Sequence, residues 1–255
     1  IGVSSAGIYI GNKTMIASLF LKVPRDRFDE KIKNIYVRAA RQIGENIPLV
    51  VANDGDVTAL AGSMSLNVNC ILGVAMGTSQ AVGYIDSKGR ITGWLNELAF
   101  APVDLQEGAA MDEWSGDYGV GCQYFSQDAV IRLAPKAGLE INPDLSPAEK
   151  LKAVQDAMES GDSGAASVFR SIGAYLGHTI PLYDRFYKIE YILLMGRVTS
   201  GKGGALIVET ANQVLKDEYP EVYARICLSL PDEKSRRVGQ SIAAASLPPI
   251  EGEMD

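Results

Sequence analysis

The sequence has one histidine, three cysteines and two tryptophans in 255 residues. A single imidazole, His178, excludes a histidine-built metal cluster and leaves one candidate for a Ser-His-Asp arrangement. His178 sits inside an apolar helical pattern, where a structural role with locally satisfied ring nitrogens is the simpler reading. Cys70, Cys122 and Cys227 lie far apart and form no CxxC pair. That excludes a zinc knuckle and a thioredoxin-type motif, and fits a reducing cytoplasm. No apolar run reaches the roughly 18 residues that span a bilayer, and no signal-peptide pattern is visible. Neither GxxxxGKS/T nor a strand–GxGxxG–helix pattern occurs, so P-loop and Rossmann readings lose their support. Positive charge is also short: 24 Lys and Arg against 31 Asp and Glu give a net charge of -7. Such a balance does not favour a nucleic-acid surface, which needs clustered cations. The longest basic cluster, Lys234-Ser235-Arg236-Arg237, reads as the solvated start of a helix.

What is present is apolar and glycine-rich. Hydrophobic residues make up 47% and charged residues 22%, which predicts a packed core. Many of the 26 glycines follow apolar runs directly, as at strand-to-loop junctions of an α/β protein. The pattern predicts a short apolar strand running into a small-residue turn over Ile1–Ile8, and strands at Met15–Val23, Pro48–Ala52, Cys70–Ala75, Ala81–Ile85, Ile189–Met195 and Ala224–Leu228. It predicts helices over 25–45, after Asp54, and over 124–137, 146–160, 165–183, 205–219 and 235–245. In the helix after Asp54, Val57, Leu60, Ala61 and Met64 form one face. Ser146 and Glu149 have the spacing of a capping box. The chain starts on Ile1, inside an apolar run, and further sequence is expected upstream.

Four places carry candidate chemistry. Asn53-Asp54 ends a buried strand, where ligands gather in open α/β sheets. A carboxylate there can take a proton from an attacking hydroxyl, while the same pair also suits an Asx turn and a helix N-cap. Gly77-Thr78-Ser79 joins two strands, and its backbone N–H groups and hydroxyls suit either a phosphate cradle or a tight hairpin. Gly196 to Gly204 joins a strand to a helix, as a shelf for a planar ring or as an ordinary loop. Glu97 and Glu113 stand in an irregular region with Trp94 and Trp114, a composition that suits sugar hydroxyls and ring faces or simply surface charge.

Taken in order, these segments resemble the repressor, open-reading-frame and kinase (ROK) family of the actin–hexokinase–Hsp70 superfamily, from Ile1 to about Leu247. Val51-Ala-Asn-Asp-Gly-Asp-Val-Thr-Ala-Leu is similar to the family's E-N-D-A-N-A-A-A-L segment, and Ile71 to Ile85 resembles its second phosphate loop. Ile192-Leu-Leu-Met-Gly resembles its adenosine loop. Asn96-Glu97 resembles the start of G-E-I-G-H, and Glu113 the Glu of C-L-E-x-x-x-S-G. The resemblance implies a two-lobed actin-like ATPase (ribonuclease H-like) α/β fold with its first lobe incomplete. Residues 1–68 would be a partial first lobe carrying the catalytic Asp, 69–247 a second lobe with the nucleotide and sugar loops, and 248–255 a tail.

The function implied is ATP-dependent phosphorylation of a hexose or related sugar, with Asp54 as base. Asn53, Glu97 and Glu113 would bind sugar, Gly77, Thr78, Ser79 and Gly196 would bind ATP, and Mg2+ would bridge the phosphates. A cytoplasmic homodimer is implied by analogy, with no nucleic acid bound through this segment and no membrane. The alternative is a sugar-sensing regulator of the same family. Three family features differ here: no Asp-x-Gly-Gly-Thr loop is present, Phe100 stands where G-E-I-G-H has His, and the zinc motif C-x-C-G-x-x-G-C is missing. The sugar pocket is then expected either to be rebuilt around Trp94, Phe100 and Trp114 or to accept another substrate.

Overall fold

The computed structural model describes residues 1–231 and 233–248, leaving out the side chains of Ser18 and of 233–238. The reading of Lys234 to Arg237 as a solvated face, and most of the 248–255 tail, lie outside what is described.

Strand β1 (Gly2–Ser5) pairs in parallel with β4 (Val50–Asn53), Gly2 opposite Val50. Between them in the chain, β2 (Ile8–Ile10) and β3 (Lys13–Ile16) form an antiparallel hairpin. Its turn uses Gly11 and Asn12, both at positive φ. The predicted strand over Met15–Val23 is therefore corrected: it ends at Ile16. Phe20 N–H donates to the Ala17 carbonyl and Val23 N–H to that of Phe20, curling the rest into tight turns.

The predicted 25–45 helix is also corrected, because it breaks in two. Helix α1 (Arg25–Arg27) runs on as a π-helical turn over Phe28–Ile32, and α2 covers Ile35–Ile43. Apolar spacing continues across the break, but the backbone is diverted. The Lys33 carbonyl accepts from Thr14 N–H of β3 at 2.9 Å, and Arg38 caps the carbonyls of Glu30 and Lys31. Tertiary partners for those carbonyls replace the bonds a continuous helix would make.

Helix α3 (Asp54–Leu66) starts directly at the end of β4. It leads into a four-stranded sheet of order β6-β5-β7-β8, built from β5 (Ile71–Met76), β6 (Gln80–Ile85), β7 (Tyr191–Met195) and β8 (Cys227–Ser229). β5 is antiparallel to β6 and parallel to β7, and β7 is parallel to β8. Alternation along β5 decides what covers each face. Leu72, Val74 and Met76 enter the main core. Ile71 faces the other way, packing with Ala59 of α3, Ile85 and Leu193.

The main core is closed by α4 (Gln127–Lys136), α5 (Pro147–Glu159), α6 (Ser163–Asp184) and α7 (Gly201–Glu218), with Phe125, Phe169, Ile172 and Ile207 fully buried. The α5 capping box forms as its spacing suggests: Ser146 Oγ accepts from Glu149 N–H, and Glu149 Oε2 accepts from Ser146 N–H at 2.8 Å. A short α8 (Pro220–Tyr223) precedes β8, and α9 (Glu233–Ala245) returns to pack on α3 and β1. Ala243 and Ala244 cover Val57 there, while Met64, expected on the same buried face, is 47% exposed. α3 is thus wedged between α9 and the large sheet, and small residues line both of its sides.

Candidate functional site

Three close backbone approaches, each at a glycine, bring the candidate segments together. At the first turn of α3, a Cβ on Gly55 would lie 2.7 Å from the Val82 carbonyl of β6, and one on Gly83 would lie 2.2 Å from the Gly55 carbonyl. No side chain fits between them, so the α3 N-terminus rests on β6. Val82 is three residues beyond Ser79, about 10 Å along a strand. At the end of β7, Gly196 takes φ +96, and a Cβ on it would lie 2.3 Å from the Met76 carbonyl. Met76 immediately precedes Gly77. Gly196 is thus held beside the start of the Gly77–Ser79 turn, and Asp54 stands at the carboxyl end of β4, on the first turn of α3 that rests on β6.

Asn53 does what an N-cap does: its Oδ1 accepts from Gly55 N–H at 2.8 Å. Its Nδ2 donates to the Gly7 carbonyl at 2.9 Å, which ties the α3 N-terminus to the turn after β1. One amide hydrogen and one lone pair remain for another partner. Asp54 is half-buried and its Oδ1 accepts from Gly55 N–H at 3.0 Å. Its charge is felt on three sides. Tyr9 is pushed up to about 12, first by burial, with Asp54 contributing. Asp56 and Glu97 are raised by burial and then further by Asp54. Glu97 is exposed, and the charge of Asp54 adds to the burial that raises its carboxyl.

The turn itself is exposed at Thr78 and Ser79. Gly77 N–H donates to the Ser79 carbonyl at 2.9 Å, and the Gly77 carbonyl accepts from Gln127 N–H at the start of α4 at 2.8 Å. Gly77 is not at positive φ, and a Cβ on it would meet only the Ser79 carbonyl at 3.7 Å. Neither conformation nor protein packing requires glycine there. The open side of the turn is where a ligand would approach the backbone.

A cavity of about 410 Å³ opens beside this region. α3 contributes Thr58, Ala61 and Gly62, β5 Ala75, β7 Met195, the following loop Gly196, Arg197 and Ser200, and α9 Gln240. Its size is that of a small-molecule site. A second cavity of about 360 Å³, lined by Lys188, Glu190, Arg225 and Cys227, lies at the opposite ends of β7 and β8. Ligands of α/β sheets collect at the carboxyl ends of strands, which favours the first.

Glu113 is placed differently. It lies in an exposed turn (residues 113–115) rather than a helix, and no described contact joins it to Asp54 or Glu97. Its turn is linked to the Glu97 segment through Trp114, whose ring lies 5.4 Å from that of Phe100. Trp94 stacks on Tyr84 at 5.9 Å with its outer side left 54% exposed. His178 is on the surface, with Nδ1 3.3 Å from the Tyr219 hydroxyl. Asp56, Tyr9 and Gln240 join the candidates only through the structure. Asp56 had a signal: it is the one acidic residue between Gly55 and Leu66 on an otherwise small and apolar helix. Gln240 had none, because its approach to Thr58 and to the Asp54 carbonyl depends on where α9 returns.

Among the described residues no three His, Cys, Asp or Glu side chains group to hold a metal. No described helix is long and apolar enough to cross a membrane.

No protein-family model matches the chain, and no curated protein matches it significantly. Among solved structures its fold is that of the ROK proteins, the actin-like ATPase fold. It is similar to the ROK hexokinase from Thermus thermophilus, with a TM-score of 0.67 at 16% identity over 96% of this chain and 78% of that one. The ROK family glucokinase from Streptomyces griseus, in complex with glucose and AMPPNP, gives 0.67 at 17% identity over 96% of this chain and 80% of that one. A ROK family transcriptional regulator, homologous to the MLC protein of E. coli, gives 0.64 at 20% identity over 84% of this chain and 56% of that one.

Proposed function

We propose that this chain is a ROK-type kinase that transfers the γ-phosphoryl group of ATP to a hydroxyl of a hexose or related sugar. What supports this reading is that Gly196, which lines the 410 Å³ cavity, abuts Met76 just before the open Gly77–Ser79 turn, while the first turn of α3, which begins with Asp54, rests on β6 beyond that turn. The glucokinase neighbour that holds glucose and AMPPNP supports the same pair of ligands.

In this reading the sugar lies between Asp54 and Glu97. The Asp54 carboxylate takes the proton of the attacking hydroxyl as its oxygen bonds to the γ-phosphorus, and the bond from phosphorus to the ADP oxygen breaks. Asn53 holds Asp54 in place through the N-cap and has one donor left for a sugar oxygen. Glu97 accepts hydroxyl hydrogens, and Glu113 reaches the sugar only if its turn folds over the cleft. Backbone N–H groups and hydroxyls of the 77–79 turn hold phosphate oxygens. Gly196 and its cavity hold the nucleoside. The donor set fits Mg2+ that arrives on the nucleotide, because such an ion keeps phosphate and water oxygens and needs only one or two carboxylates. When bound, Mg2+ neutralises charge on the phosphates.

The test is Asp54→Asn in the 255-residue chain. Phosphoryl transfer to a hexose panel, followed as ADP release, should fall by roughly 10²–10⁴, while sugar binding measured calorimetrically is kept. Undiminished turnover in the variant removes Asp54 as base. The regulator neighbour favours a second reading, sugar sensing without catalysis. Sugar binding with no ADP release in the parent chain would select it.

A further inference from the structure

We propose that Asp56 is a positioning residue: through Asn96 it fastens the segment carrying Glu97 to the first turn of α3, so that Glu97 and Asp54 address the same sugar. The functional half of this inference rests on the sugar-kinase reading, whereas the fastening itself does not.

Asp56 lies two residues beyond Asp54 and is only 7% exposed. Its Oδ1 accepts two hydrogen bonds, from Asn96 Nδ2 at 2.8 Å and from Tyr84 N–H of β6 at 3.4 Å. Asn96, also buried, accepts at its Oδ1 from the Tyr187 hydroxyl at 3.1 Å. The chain of bonds thus runs from α3 through Asn96 to the residues just before β7. Aromatic rings seal it: Tyr187 meets Tyr84 edge-on at 5.1 Å, and Trp94 covers both at 5.9 and 5.8 Å. Residues 93–97 have no regular secondary structure, and Glu97 follows directly on the anchored Asn96. Without the Asn96 side chain, the described hydrogen bonds of this stretch are local ones: Trp94 N–H to Thr92 Oγ1, Leu98 N–H to the Asn96 carbonyl and Phe100 N–H to the Glu97 carbonyl.

The anchor is sensitive to acid. Burial pushes the Asp56 carboxyl up to about 6; Asn96 and Tyr84 pull it down, and the charge of Asp54 adds to the rise. The titratable groups facing it are Asp54 on its own helix, Tyr84 on β6 and Tyr187 before β7. Both phenols are themselves raised, so they stay neutral near pH 6. Above pH 6 the ionised carboxylate holds Asn96 by a charge-assisted bond. Below it the bond becomes an ordinary one.

Trp94 reports on this directly, because the chain has two tryptophans and Trp114→Phe leaves Trp94 alone. In the full chain carrying Trp114→Phe, Trp94 emission should titrate with a midpoint near pH 6. Adding Asp56→Asn should abolish that titration. Adding Asn96→Ala instead should move the midpoint upward, since Asn96 favours the ionised form. A midpoint that persists in Asp56→Asn, or no transition between about pH 5 and 7, overturns the anchor. On the functional side, with glucose as the probe, Asp56→Ala should raise KM roughly tenfold or more and leave kcat within about threefold. Asp56→Asn, whose Oδ1 can still accept both bonds, should restore KM. Equal losses in both variants, or a loss confined to kcat, overturn the positioning role. A parent chain that phosphorylates no hexose refutes the kinase reading alone, and the emission titration still decides the anchor.

Discussion

The residues before Asp54 and those after Asn69 are built on different terms. In the second region one sheet carries four strands, and its main core runs from Leu72 to Leu228 with large side chains fully buried. In the first, β1–β4 and β2–β3 are separate two-strand pairs, and few apolar residues are buried: Ala17, Ala40 and Val51 are among them. Ile10, Ile16, Leu19, Leu21 and Ile43 are more than half exposed. Yet Asp54 stands where the two meet. The lesson is that the candidate base gets its position from α3, which the larger region grips, rather than from the strand that leads into it.

Substitutions in the two regions and at their seam should separate accordingly. The largest effect is expected in the second region. Phe169→Ala removes a fully buried ring and should cost about 3–5 kcal/mol, read from denaturant unfolding. A loss under about 1 kcal/mol would mean that the core does not carry the stability.

Next comes Asp56→Asn, whose effect depends on pH. A carboxyl raised in the folded state from 3.8 to about 6 favours folding below pH 3.8, and that contribution is lost as pH rises through 6. The ionised, buried group therefore weighs against the fold at pH 8 by on the order of 3 kcal/mol. Asp56→Asn should raise stability at pH 8 by up to that amount and have little effect at pH 3.5. A variant less stable than the parent at pH 8 would contradict the sign.

Gly83→Ala probes the seam. Its Cβ would press on the Gly55 carbonyl at 2.2 Å and should cost about 1–3 kcal/mol, shifting Asp54 away from the 77–79 turn. Unchanged stability and ADP release would show that the seam is not tight. Smallest should be Leu19→Ser in the first region. With Leu19 74% exposed, unfolding should move by less than about 0.5 kcal/mol. A loss comparable to Phe169→Ala would erase the distinction between the regions.

The sequence was legible where local pattern and final structure agree. The strand–Asn–Asp–helix junction could be read because one residue type, Asn53, serves as N-cap whatever else it does. The continuous apolar run of β5 and the Ser146–Glu149 spacing were readable for the same reason. Where tertiary partners overrode periodicity, the reading went wrong. Nothing local to residues 25–45 announces that Thr14 of β3 will take the Lys33 carbonyl, and apolar spacing does not show that Arg38 will turn back to those of Glu30 and Lys31. The Met15–Val23 run is apolar without alternation, and Leu19 and Leu21 end up exposed rather than in a strand. In the site, the glycines at 77 and 196 were visible, but why each is glycine was not. Gly196 is fixed by Met76 on the neighbouring strand, while at Gly77 a Cβ would make only ordinary contact with the Ser79 carbonyl. Glu113 shows the converse: its spacing matched a motif, and its turn faces solvent.

The glycine-lined wedge of α3 has a mechanical consequence. Gly62 abuts Leu193, Gly55 abuts β6 and Ala59 fills the space beside Gly73, so the helix is clasped by the sheet along its length. A protease cut between Ile16 and Pro24 would sever the chain between the β2–β3 hairpin and α2, leaving the Thr14–Lys33 and Tyr9–Tyr36 contacts to hold them together and this clasp intact. Damage to the early part of the chain would then be tolerated locally, and the acid at position 54 would keep its seat.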